Sequence, residues 1–206
     1  MLKIWGRKNS TNVRKALWCA EEAGVGYQRI DAGGAFGIVD QAEFLARNPN
    51  GLVPVLEDGD LLLWESNSIV RYLAASYAPG SLYLDDPAAR ARGDKWMDWT
   101  TSSFASVFRE LFWGTLRTPF EHRDPAVIEA SRLRSIELLK LPEQALGEHE
   151  YLSGNAFAMG DIPLGCFIYA WFEMPIERPA QPNLEAWYAR LRERPAYHRA
   201  VMTELT

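Results

Sequence analysis

The sequence predicts two structural classes in one chain, an α/β unit of order βαβα-ββα followed by an all-helical bundle. Three observations carry this. Strand, helix and strand patterns succeed one another at the start of the chain, two short apolar runs flank Asp58-Gly59, and beyond Pro87 no alternating pattern returns. At 206 residues the chain can hold two small domains, each with its own core.

Leu2-Lys3-Ile4-Trp5 alternates as a short strand, and Gly6-Arg7-Lys8-Asn9 is a loop. Ser10, Thr11 and Asn12 all offer helix caps. Val13, Ala16, Leu17 and Ala20 then recur at helical spacing until Gly24. Tyr27 to Asp31 is a second strand, so the opening is a βαβ unit with a parallel pair and a right-handed crossover. Gly33-Gly34-Ala35-Phe36-Gly37 lacks dinucleotide-loop spacing and follows the wrong strand, so it reads as a mobile connection. Gln41 to Arg47 is a short helix. Val55-Leu56 and Leu61 to Trp64 pair through a two-residue Asp-Gly hairpin, and Ser66 caps a helix running to Tyr77.

Pro79, Gly80 and Pro87 mark residues 79–87 as a linker between a first domain, 1–78, and a second, 88–206. Asp86-Pro87 opens a long helix to about Trp113, and Asp124-Pro125 opens another through Leu146. The apolar stretch Asp161 to Glu173 is the core helix of this half, and Asn183 to Arg192 and Pro195 to Met202 complete it.

Composition excludes several function classes. A net charge of −5 argues against nucleic acid as a general partner. No apolar run is long enough to span a bilayer, and no signal peptide is visible. Cys19 and Cys166 lie far apart in apolar surroundings and read as buried free thiols of a cytoplasmic protein. The scattered His122, His149 and His198 form no metal-ligand pattern. Eight Trp, eight Tyr and nine Phe fill cores, and some can line an apolar ligand pocket. Lys3, Arg7, Lys8, Arg14 and Lys15 precede any acid, a local cationic field that suits a small anionic ligand as well as a solvated face.

Val53-Pro54 before a strand is physically awkward, because proline gives no N–H to a ladder. A cis bond in a tight turn resolves this and leaves the Val53 backbone free to pair with something outside the chain. A free backbone edge beside a helix N-terminus is a place to hold a small anionic peptide.

Asn48-Pro49-Asn50-Gly51-Leu52-Val53-Pro54-Val55-Leu56, followed by Glu65-Ser66 and Ile69, resembles the glutathione-binding half-site of the glutathione S-transferase family. The resemblance extends over almost the whole chain. It implies a thioredoxin-like first domain and a helical second domain, in a homodimer. It also implies that Val53 pairs with the cysteinyl group of glutathione, that Pro54 is the cis-proline, and that Glu65 and Ser66 hold the γ-glutamyl end. Two positions depart from the family. Leu52 stands where many relatives have Lys, so the glycyl carboxylate either finds another cation, from Arg7, Lys8 or the 33–40 loop, or is bound more weakly. Ala158 replaces a Ser or Thr cap ahead of Asp161, a loss of about 0.5–2 kcal/mol.

A thiol with a pKa of roughly 8.5 is mostly protonated at neutral pH, so an enzyme using it must stabilise the thiolate. A hydroxyl or amide donor, a helix N-terminus and nearby cations do so. The serine-type classes of the family imply Ser10 as that donor, with Arg14 as the matching basic residue. Asn12 is its rival or partner, and Thr11 an adjacent binding residue. The alternative for Ser10 and Thr11 is plain helix capping. Phe104 and Trp113 are expected to line the site of an apolar electrophile. Expected activity is glutathione transfer without a metal. The alternatives are glutathione-dependent isomerase, peroxidase or dehalogenase chemistry, or a non-catalytic module of the same fold.

Overall fold

The structure, a computed structural model, describes residues 1–206. A four-stranded sheet has the order β2-β1-β3-β4, formed by β1 (Leu2–Trp5), β2 (Tyr27–Ile30), β3 (Val55–Asp58) and β4 (Leu61–Trp64). β1 pairs parallel with β2 and antiparallel with β3. The first helix, α1 (Thr11–Glu22), makes the crossover, α2 (Ala42–Leu45) is shorter than the pattern suggests, and α3 (Ser66–Tyr77) closes a thioredoxin-like unit. Glu57 ties the sheet together, accepting from Lys3 Nζ at 3.0 Å, Trp5 Nε1 at 2.8 Å and Arg47 Nε at 2.8 Å. Lys3 therefore belongs to the sheet and not to a ligand field.

The hairpin differs from its expected form by one residue. Asp58 pairs with Leu61, so the loop is Gly59-Asp60, with Gly59 at φ 58 in the first loop position. Glycine reaches that conformation without a Cβ penalty, which settles the loop here. Ser66 is likewise one position off. It is the first residue of α3, and Glu65 at φ 72 and ψ 110 holds the N-cap position.

The helical half comprises α4 (Pro87–Trp99), α5 (Ala105–Phe112), α6 (Pro125–Glu148), α7 (Ile162–Glu173), α8 (Pro182–Arg192) and α9 (Pro195–Ala200). Asp86 and Asp124 cap α4 and α6 through their carboxylates, each ahead of a first-turn proline. The expected helix to Trp113 runs on to Arg117, because wide π turns at Thr100–Phe104 and Trp113–Arg117 flank α5. Residues 79–86 are fastened down: Leu82 is buried in the core, and its carbonyl accepts from Met159 N–H at 3.1 Å. No helix is long and apolar enough to cross a membrane.

The two halves share one core. Trp18 of α1 is fully buried, stacked edgewise on Tyr197 of α9 and close to Phe157. It can sit there because Gly165 of α7 has no side chain: a Cβ would meet the indole at 2.7 Å. Asn67 of α3 adds a polar link, donating to Met97 O at 2.8 Å. At the start of α7 the missing hydroxyl of Ala158 is offset by Asp161. This fully buried carboxylate accepts from the N–H groups of Leu152 (2.8 Å), Ser153 (3.3 Å) and Ala158 (3.2 Å), and from Trp187 Nε1 (3.0 Å). Four donors on one buried acid make a structural anchor, a larger role than the helix-dipole contact expected of it.

Candidate active site

A cavity of about 320 Å³ opens where the N-terminus of α1 faces α3 and α5, and a smaller one of about 60 Å³ adjoins it along residues 48–54. Asn12, Glu65 and Ser66 line both. Ser10 and Thr11 line the larger, and Leu52, Val53 and Pro54 the smaller. Residues separated by some forty positions in sequence thus meet in one cleft.

The Val53–Pro54 bond is cis, and neither the Val53 N–H nor its C=O has a hydrogen-bond partner within the chain. Asn48 shapes the approach, its Nδ2 donating to Leu52 O at 2.8 Å and its Oδ1 accepting from Asn50 N–H at 3.1 Å. Leu52 is 64 % exposed. Residues 33–40 include no basic side chain. Arg7 does lie against this segment: a Cβ on Gly34 would meet Arg7 Cδ at 2.9 Å, so the glycine makes room for the arginine.

Ser10 occupies the N-cap position of α1, yet its side chain makes no capping bond. It is 8 % exposed and its hydroxyl has no partner within the chain. A capping serine spends its oxygen on the helix; this one leaves both donor and lone pairs available to the cavity. Asn12 instead reaches Ser66, whose Oγ donates to Asn12 Oδ1 at 3.3 Å.

The cations sort differently from the sequence expectation. Arg14 is buried away from the cavity, donating to Thr203 Oγ1 at 2.7 Å and Glu204 O at 3.0 Å, and it fastens the N-terminal loop to the end of the chain. Lys15, named from the sequence only as one of the local basic cluster, lines the cavity in its place. Its ammonium is buried, donates to Ser66 Oγ at 3.4 Å, and packs over the Phe167 ring. Burial lowers its pKa to about 8, with Cys166 and Glu65 pulling the other way. The sequence signal was there: Lys15 stands three residues after Asn12 and four after Thr11, on one side of α1.

Phe104 is corrected. It is 0 % exposed, stacked between Trp99 and Phe108 with Phe167 at its edge, and it belongs to the core. Trp113, 49 % exposed, lines the cavity. Phe108, Phe112 and Phe167 supply the remaining aromatic wall, and Arg109 and Arg117 its charge; Phe112, Phe167, Arg109 and Arg117 were not assigned to the site from sequence. Cys19 and Cys166 are buried free thiols, and burial pushes Cys166 up to about 12, which leaves it inert as a nucleophile.

Residues 1–75 match the family model "Glutathione S-transferase, N-terminal domain". Over 204 residues the chain is 47 % identical to "Glutathione S-transferase GstB" of Escherichia coli K12, covering 98 % of each. The chain belongs to the glutathione S-transferase family. Among solved structures, the theta class glutathione S-transferase of Xanthomonas axonopodis pv. citri with glutathione bound superposes with a TM-score of 0.98 at 66 % identity, covering 100 % of this chain and 99 % of that one. A glutathione S-transferase-I bound to lactoylglutathione superposes with a TM-score of 0.89 at 27 % identity, over 98 % of both chains.

Proposed function

We propose that this transferase binds glutathione across the two cavities and activates its thiol with Ser10 for attack on an electrophilic small molecule. The free Ser10 hydroxyl at the helix N-terminus is the observation that carries the proposal. The unpaired Val53 backbone supports antiparallel pairing with the cysteinyl residue. Glu65 suits the γ-glutamyl ammonium, while Ser66 and the α3 N-terminus suit its carboxylate. Thr11 borders the tripeptide, Asn12 holds Ser66 in place, and Leu52 leaves the glycyl carboxylate to Arg7.

Ser10 donates a hydrogen bond to the sulfur, favouring the thiolate over the thiol. The thiol proton passes to solvent, the sulfur forms the new bond to carbon, and the leaving group departs with its electron pair. Ser10→Ala is expected to lower kcat by about 10²-fold, the effect of losing one donor to a developing anion, with glutathione KM within about threefold. Steady-state kinetics with a chlorodinitrobenzene checks this; an unchanged kcat transfers the role to Asn12.

The same reading includes a cytoplasmic homodimer. Leu62 and Trp64, exposed on edge strand β4, are the apolar surface that supports pairing. Sedimentation as a monomer at micromolar concentration would refute it.

A further inference from the structure

The larger cavity is far more cationic than an apolar electrophile requires. Arg7, Lys15, Arg109 and Arg117 line it against one acid, Glu65, in a protein of net charge −5. Few of these charges are neutralised by the protein. Arg7 makes no ion pair. Arg109 meets only its neighbour Glu110, at 3.5 Å, with the two side chains 66 % and 54 % exposed, a contact of little strength. Arg117 donates from Nε and Nη2 to the terminal main-chain oxygen of Thr206 at 2.9 and 2.6 Å, a carboxylate that offsets part of its charge, and to Asn9 O at 3.3 Å, which leaves its Nη1 edge without a partner. Burial lowers its pKa, and Arg7 and Arg14 lie close enough to add to that.

In the proposed function, glutathione uses Glu65 and Ser66 at one end and Arg7 at the other, and Lys15 lies against Ser66 at the first of these. Arg109 and Arg117 remain, both on the helical wall where the second substrate is expected. Both lie against an aromatic surface: Arg117 lies 4.9 Å over the Phe112 ring, and Arg109 and Arg117 lie 5.8 and 5.6 Å from the Trp113 ring. A neutral apolar ligand would strip water from Arg109 and from the unbonded edge of Arg117 and return nothing to them. A carboxylate or sulfonate would accept their hydrogen bonds.

We infer that the second substrate is an anionic electrophile, whose acid group is held by Arg109 and Arg117 while its apolar body rests on Phe112 and Trp113. The inference rests on the proposed function. For an aryl halide bearing a carboxylate, the thiolate forms the S–C bond, the C–halogen bond breaks, halide leaves with the pair, and the thiol proton passes to solvent. The acid group is a handle and takes no part in the exchange.

The test compares a chlorodinitrobenzene with the corresponding chlorodinitrobenzoate, each kcat/KM divided by its uncatalysed rate constant with glutathione. The benzoate is expected to lead by about tenfold or more at low salt, a lead that shrinks as salt screens the arginines. Arg109→Gln and Arg117→Gln are each expected to cut the benzoate-to-neutral ratio by about tenfold. Arg109 is exposed, so its variant keeps the fold. Calorimetric affinities for S-carboxybenzylglutathione and S-benzylglutathione read the same preference without turnover. Equal acceleration of the two electrophiles, or a ratio unmoved by both variants, would overturn the inference and leave the transferase intact. Failure to bind glutathione or either conjugate would overturn both.

Discussion

Lys15 Nζ lies 3.4 Å from Ser66 Oγ, and this buried ammonium has no ion pair within the protein. A buried cation without a carboxylate partner is costly, and here the cost faces the place proposed for a ligand carboxylate. Counter-charge arriving with glutathione would repay it.

A pH dependence follows. With its pKa lowered by burial to about 8, Lys15 releases its proton in the folded state while an unfolded lysine holds its own up to about 10.4. Between those values the unfolded state binds more protons, so stability rises with pH through this window. Lys15→Met is expected to add on the order of 3 kcal/mol near neutral pH and to flatten that rise. Glutathione affinity should fall in the same variant, and the proton uptake on binding near pH 8 should disappear. Urea unfolding across the window, with calorimetry in buffers of different ionisation enthalpy, checks each part. A wild-type stability with no rise there would contradict the assignment.

Glu65 offers a second test, because its backbone and its charge can be separated. At φ 72 a non-glycine residue carries roughly 1 kcal/mol or more of strain, of the kind found at functional sites. Glu65→Gly should therefore stabilise the fold by about 1 kcal/mol while weakening glutathione by tenfold or more. Glu65→Gln should weaken binding comparably and leave stability unchanged. Thermal unfolding and titration calorimetry on the two variants decide it. A less stable glycine variant with full affinity would make Glu65 a structural residue only.

Much of the architecture was legible because it rests on local chemistry. Alternation marked the strands, Asp-Pro pairs marked the starts of α4 and α6, and Val53-Pro54 with Glu65-Ser66 marked the cleft. Misses of one residue, as at Gly59-Asp60 and Ser66, arise where adjacent residues offer nearly equal turn or cap chemistry. Phe104 failed for a different reason. A π turn holds one extra residue, which rotates all that follows by about 100°. Phe104 ends the first such turn, so regular helical spacing along this stretch does not say which of its aromatics reach the cavity. Arg14 was matched to Ser10 through the resemblance, yet adjacent positions on α1 point about 100° apart, and Lys15 is the one on the side of Thr11 and Asn12 that faces the cavity. Asp161 was undervalued because three of its four donors, on Leu152, Ser153 and Trp187, come from outside its own capping turn.

The central claim is that Ser10 holds the sulfur of bound glutathione as a thiolate, and the ionisation of that thiol measures it directly. Thiolate absorbance of the binary complex, titrated with pH, is expected to give a pKa at least about one unit below the free value of roughly 8.5, moving back up in Ser10→Ala. A bound thiol that titrates where the free one does, in the wild-type protein, would contradict the account.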